Sequence, residues 1–123
     1  MRVHGLAWLG TRTDGYRSTV GFFRDILGLD LLSDQDDFAV LALPDGSKVE
    51  VFGPTSSWNR HFTTGPVVGF LVDDVDQAVE ELRAAGVEIV QEPGDNYWAH
   101  FRAPDGRIYE VTADPDLLAS RRR

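Results

Sequence analysis

The sequence predicts an α+β domain in which one βαβββ unit is used twice, and three observations predict it. Pro44-Asp45-Gly46 and Pro104-Asp105-Gly106 each open a short β-branched run with one Glu four residues after the Gly, and Glu50 to Glu110 is an offset of 60. Upstream of each copy lies an apolar stripe of helical period: Tyr16, Val20, Phe23 and Leu27, then Val75, Ala78, Val79 and Leu82. Each stripe stops at a glycine, Gly28 or Gly86, an offset of 58, and two extra residues of the second copy, in the loop around Pro93-Gly94, account for the difference.

In order, residues 3–9 read as a first strand, with His4, Leu6 and Trp8 on one face. After a turn through residues 11–15 comes the first helix, ended by Gly28 as a left-handed cap. Strands at 29–33, 38–43 and 48–52 follow, separated by the acidic turn 34–37 and by Pro44-Asp45-Gly46. Residues 53–66 read as a linker, although Trp58, His61 and Phe62 are more than a spacer needs. The unit then restarts with a strand at 67–72 and a helix whose capping box is Asp74 with Gln77. Strands at 87–91, 97–102 and 107–112 complete it. The expected organisation is one domain over 1–113, with repeat one at 3–52, the linker at 53–66, repeat two at 67–113 and a frayed tail at 114–123.

With 123 residues, 42% of them hydrophobic and three of them Trp, the chain is one domain with a real core. No cysteine is present, which removes disulfides, thiolate ligands and a cysteine nucleophile, so chemistry falls to carboxylates, His, Tyr or a metal. A net charge of -8 argues against a nucleic-acid partner. No stretch approaches the ~20 apolar residues of a membrane span and none resembles a secretory leader, so a cytoplasmic location is expected. Apolar sheet surface and open strand edges on so short a chain lead us to expect a homodimer.

The segments Phe22-Phe23-Arg24-Asp25-Ile26-Leu27-Gly28-Leu29, Val72-Asp73-Asp74-Val75 and Pro104-Asp105-Gly106, in that order, resemble the vicinal oxygen chelate superfamily. It includes glyoxalase I, methylmalonyl-CoA epimerase, extradiol dioxygenases, fosfomycin-modifying thiol transferases and the metal-free bleomycin-binding proteins. The resemblance spans roughly residues 3 to 113. It implies that the two units form an eight-stranded cup around a small-molecule cavity.

Metal-bearing members draw one ligand from the first strand of each unit and one from its last strand. Carried over, those positions are His4, Glu50, Val67 and Glu110. The resemblance thus implies a divalent metal held by His4, Glu50 and Glu110. Valine cannot ligate, so the fourth position is lost, and with it the two-His, one-carboxylate iron triad of an extradiol dioxygenase. The same resemblance turns Trp98 and His100 into the cup, where repeat one has Phe38 and Val40.

Two functions follow. The first is a glyoxalase-like lyase or isomerase in which a metal chelates two neighbouring substrate oxygens and Glu110 or His100 moves the proton. The second is a metal-free small-molecule binder of the bleomycin-resistance type, with Trp8, Phe52, Trp58, His61 and Trp98 lining the ligand. The bland alternatives are that the two Glu face water or pair with Lys48 and Arg107, that the tryptophans are core, and that His61 is a hydrogen-bonded loop residue.

Overall fold

A computed structural model of the chain describes residues 1–63 and 65–121. Eight strands and three helices are found among the described residues: β1 (Val3–Arg12), α1 (Tyr16–Gly21), β2 (Asp30–Gln35), β3 (Phe38–Ala42), β4 (Lys48–Phe52), β5 (Val67–Val72), α2 (Val75–Ala84), β6 (Glu88–Gln91), β7 (Trp98–Arg102), β8 (Ile108–Thr112) and α3 (Pro115–Arg121). The fold is α+β and the βαβββ unit occurs twice, as expected. None of the helices among the described residues is long and apolar enough to cross a membrane, which leaves a β-barrel untested.

The compact units are not the two sequence repeats. One consists of residues 8–66, here the first unit; the other combines residues 1–7 with the described residues from Val67 on, here the second unit. The long strand β1 passes from one into the other between Ala7 and Trp8.

In the first unit the hydrogen-bonded order is β2-β3-β4-β1. β4 runs parallel to β1 and antiparallel to β3. Leu41, Val49 and Val51 on one sheet face form a core with Tyr16 and Val20 of α1. The helix is shorter than its apolar stripe suggests, because it passes into a π-helical turn at Phe22–Ile26. Each π turn carries an extra residue, which rotates later positions off the buried stripe. Phe23 still packs on the core, but Leu27 is 55% exposed rather than buried. Gly28 ends the element at φ +75°, a left-handed cap that a Cβ would strain.

In the second unit β5 is parallel to β8, β8 antiparallel to β7, and β7 antiparallel to β6. Asp74 caps α2 by accepting from the Gln77 backbone N–H at 3.1 Å. Val75, Ala78 and Val79 of α2 are buried against Ala99 and Val111, and Leu82 packs beside them. The segment read as a frayed tail is instead α3 up to Arg121, with Leu117 and Leu118 buried; residues 122 and 123 lie outside the described residues. A two-residue apolar pair in a seven-residue helix is too short a signal for periodicity to detect.

Candidate functional site

The ladder registers place the two repeated glutamates identically. Glu50 on β4 faces Gly10 of β1 on one side and Val40 of β3 on the other. Glu110 on β8 faces Gly69 of β5 and His100 of β7. A glycine therefore stands on the parallel side of each carboxylate, and the antiparallel partner is valine in one unit and histidine in the other.

These registers correct the alignment of the first strands. β1 runs to Arg12, past the expected end at residue 9, so the counterpart of Gly69 is Gly10 and the counterpart of Val67 is Trp8 rather than His4. His4 falls in the second unit, half-buried, with Nε2 3.0 Å from Oδ1 of Asp73.

Glu110 and His100, directly opposite in the β7–β8 ladder, meet. His100 Nε2 lies 2.9 Å from Glu110 Oε1, with the two side chains 0% and 6% exposed. An ionised carboxylate only accepts, so one proton sits between the two atoms, either on the imidazole nitrogen or on the carboxyl oxygen. A buried charged or charge-assisted pair of this kind is rarely the most stabilising way to fill a sheet interior, which makes it a candidate for chemistry.

Glu50 has a different partner. Its carboxylate accepts from the indole N–H of Trp8, and burial pushes its pKa up despite that bond and the charge of Lys48. Lys48 itself donates to the carbonyl of Gly46 at 2.7 Å rather than pairing with Glu50. Trp8 can lie here because Gly10 has no side chain: a Cβ on Gly10 would stand 2.1 Å from the indole Cη2.

Around this carboxylate the first unit collects aromatic rings. Trp8 meets Phe62 at 5.8 Å, Phe62 meets Phe52 at 5.8 Å, Phe52 stacks on Phe38 at 5.1 Å, and Phe38 meets Trp58 at 6.3 Å. The expected linker thus folds onto the sheet face opposite α1. Phe62 is 1% exposed, and burying a phenylalanine that fully is worth about 1.5 to 3 kcal/mol, so this segment is docked and not a spacer. Its first turn is pinned by Asp37, which accepts from both the backbone N–H and the hydroxyl of Thr55 at 2.8 Å. His61 lies against Phe62 at 4.9 Å, and burial, then the nearby charge of Arg12, push its pKa down.

Arg12 was missed in the sequence. Its guanidinium stands over the Phe52 ring at 5.7 Å and donates to the carbonyls of Gly53 at 2.8 Å, Ser56 at 3.3 Å and Trp58. The signal that could have found it is parity, since Trp8, Gly10 and Arg12 share one face of β1. In the second unit Trp98 is half-buried, edge-on to Tyr97 at 5.1 Å.

The chain matches the model of the Glyoxalase/Bleomycin resistance protein/Dioxygenase superfamily over residues 5–116. It belongs to that superfamily. Among solved structures it is similar to methylmalonyl-CoA epimerase from Mycobacterium tuberculosis, at 21% identity and TM-score 0.65, covering 95% of this chain and 93% of that one. It is also similar to the Mn(II)-bound glyoxalase from Novosphingobium aromaticivorans, at 21% identity and TM-score 0.71, covering 90% of this chain and 39% of that one. The 2,3-dioxygenase LapB from Pseudomonas sp. KL28 shares 18% identity at TM-score 0.68, covering 90% of this chain and 41% of that one. At these identities the likeness shows the fold. No curated protein sequence matches the chain.

Superfamily membership implies a divalent metal as one option, and the donors present can be tested against it. His4 is engaged by Asp73, Glu110 by His100 and Glu50 by Trp8. Among the described residues no group of three or more His, Asp or Glu side chains stands close enough to hold an ion. Within the second unit, His4 and Glu110 each face another partner and belong to no such group.

Proposed function

We propose that the protein is a lyase or isomerase of small oxygen-bearing molecules in which His100 and Glu110 act as an acid–base pair. The buried contact between Nε2 and Oε1 at 2.9 Å is the observation that supports this reading. One proton shared across that contact can be lent to a substrate oxygen or replaced by one taken from an adjacent carbon. Moving a proton from carbon to its neighbour is an isomerisation, and if a leaving group departs from the neighbouring carbon it is an elimination. Neither step asks more of the pair than to hold a proton and change which atom carries it. Both side chains are closed to solvent, so turnover requires the structure above them to open, and that opening would set the rate.

Deuterium wash-in tests the proposal: carbon acids bearing two neighbouring oxygens are incubated with the protein in heavy water and analysed by mass spectrometry. Exchange that is lost in His100→Gln and Glu110→Gln, both still folded, is the expected result. Absence of exchange for every substrate offered would remove the acid–base role.

The run of rings from Trp8 to Trp58 favours a second reading, a small-molecule binder of the bleomycin-resistance type that holds a planar ligand without transforming it. Saturable quenching of tryptophan fluorescence by planar ligands, with no exchange, would select it. We also propose a homodimer, supported by the exposed Phe22, Ile26 and Leu32 of the first unit. Sedimentation at micromolar concentration checks it, and a species at the 13.7 kDa of one chain would refute it.

A further inference from the structure

Arg12 is a cation held without an anion. Its two terminal nitrogens are spent on three backbone carbonyls of the segment 53–58, all of them neutral. Its Nε is buried and has no hydrogen-bond partner, the one such side-chain atom among the described residues. Although the chain carries 20 acidic residues against 12 basic ones, none of the ion pairs among the described residues includes Arg12. An orphaned N–H in a protein interior forfeits its hydration and marks a place where an acceptor is missing.

The surroundings narrow the acceptor. Glu50, on the same face of the first unit, is committed to Trp8, and burial favours its neutral form. Nearby His61 is also pushed towards its neutral form. Asp37, which holds the same segment, accepts from Thr55 and forms no ion pair with Arg12, so the guanidinium keeps its charge unpaired, with Phe52, Phe38 and Trp58 arranged in ring contact beside it. A carboxylate offers a guanidinium an opposite charge and two acceptor oxygens where a carbonyl offers one neutral oxygen, so an acid can compete with the segment for Arg12. Trp58, at 54% exposed, is the outermost of these rings and the first a ligand meets.

We propose that Arg12 anchors a carboxylate subsite in the first unit, taking a small aromatic acid whose carboxylate accepts from Nε while its ring lies against Phe38 and Trp58. Binding loosens the hold of Arg12 on the carbonyls of residues 53–58, so the segment is a cover that the ligand displaces. This subsite is independent of the acid–base reading, which concerns residues of the second unit.

The probe is sodium benzoate, with benzamide as its neutral isostere. In the 15N-labelled full chain, the Arg12 Nε–H signal is assigned by its loss in Arg12→Lys. Benzoate is expected to shift that signal and the amides of residues 53–58 saturably. Benzamide should bind at least about tenfold more weakly, and Arg12→Lys should weaken benzoate by a similar factor, the scale of one charge-assisted bond. The wild-type titrations decide the matter even if Arg12→Lys fails to fold. An Nε–H signal indifferent to benzoate would overturn the proposal, since a trapped water or the Phe52 ring face would then be satisfying it. An equal response to benzamide would overturn it as well, because no anion would be needed.

Discussion

Glu50 and Glu110 hold the same place in two copies of one unit, yet one is hydrogen-bonded to an indole and the other to an imidazole. The difference traces to two positions: the antiparallel neighbour, Val40 beside Glu50 and His100 beside Glu110, and the first strand, Trp8 in one unit and Val67 in the other. Where the neighbour is valine, the carboxylate turns to Trp8, which Gly10 admits. Where it is histidine, the carboxylate takes the imidazole. The repeated carboxylate alone therefore does not define a site; its partner across the ladder sets what it can do, namely share a proton in one unit and sit under an aromatic cover in the other.

The comparison breaks most severely if the second unit is given the partner of the first. His100→Val should destabilise the protein by about 3 kcal/mol, because it strands a buried carboxylate that no indole is placed to meet. Urea denaturation measures this, and a loss below about 1 kcal/mol would mean that the pair is readily replaced by other partners. A smaller effect, about 2 kcal/mol, is expected for Gly10→Ala, whose Cβ overlaps the Trp8 ring and must push it off Glu50. Its signature is a change in tryptophan emission accompanying the loss, which a purely conformational cost at Gly10 would not produce.

Glu50→Gln should act in the opposite direction, stabilising the protein by about 1 kcal/mol at pH 7, since glutamine can still accept from Trp8 without a buried charge. The sign follows from burial raising the folded pKa above the ordinary 4.5. Proton binding by Glu50 then contributes stability that is fully present below 4.5 and lost as pH rises through the raised value. Wild type and variant should accordingly converge in acid and separate towards neutrality, and a gap that shrank with rising pH would contradict the burial argument. The smallest expected effect is none: manganese, nickel or zinc at a hundredfold excess over protein should leave the melting temperature unchanged. A rise that disappears in Glu110→Gln would show that Glu110 can leave His100 for a metal ion.

The architecture was legible because its signals are local. Gly28 and Gly86 at the helix ends, Asp74 with Gln77 at the start of α2, and the two Pro-Asp-Gly turns each act through a few adjacent residues, and each is found where the sequence puts it. That His100 shares the site of Glu110 was expected only through the family resemblance, because the pairing of the β7–β8 hairpin, which sets the facing, is not written in the residues. The register of β1 was not legible either. Whether His4 or Gly10 stands across from Glu50 depends on where β1 ends, and Gly10, Thr11 and Arg12 carry none of the apolar alternation that would announce three more strand residues. Arg12 was overlooked for a related reason, because its acceptors are carbonyls of Gly53, Ser56 and Trp58, and backbone acceptors leave no mark in a sequence.

The passage of β1 between the two units has a consequence for the order in which the protein can be made. Synthesis runs from the N-terminus, so residues 8–66 are complete while most partners of residues 1–7 do not yet exist. The first unit can consolidate at that stage, whereas Met1, which ends on Glu81, and His4, which ends on Asp73, must wait. At translation rates of roughly 5 to 20 residues per second, the wait for the rest of the chain is a few seconds. Throughout that interval Val3 and Leu6, still 49% and 58% exposed in the finished fold, hang from a structure that is otherwise folded. Residues 3–6 are thus among the last parts of the chain to settle, and a nascent chain stalled before residue 67 would present that strand as the handle for a chaperone or a protease.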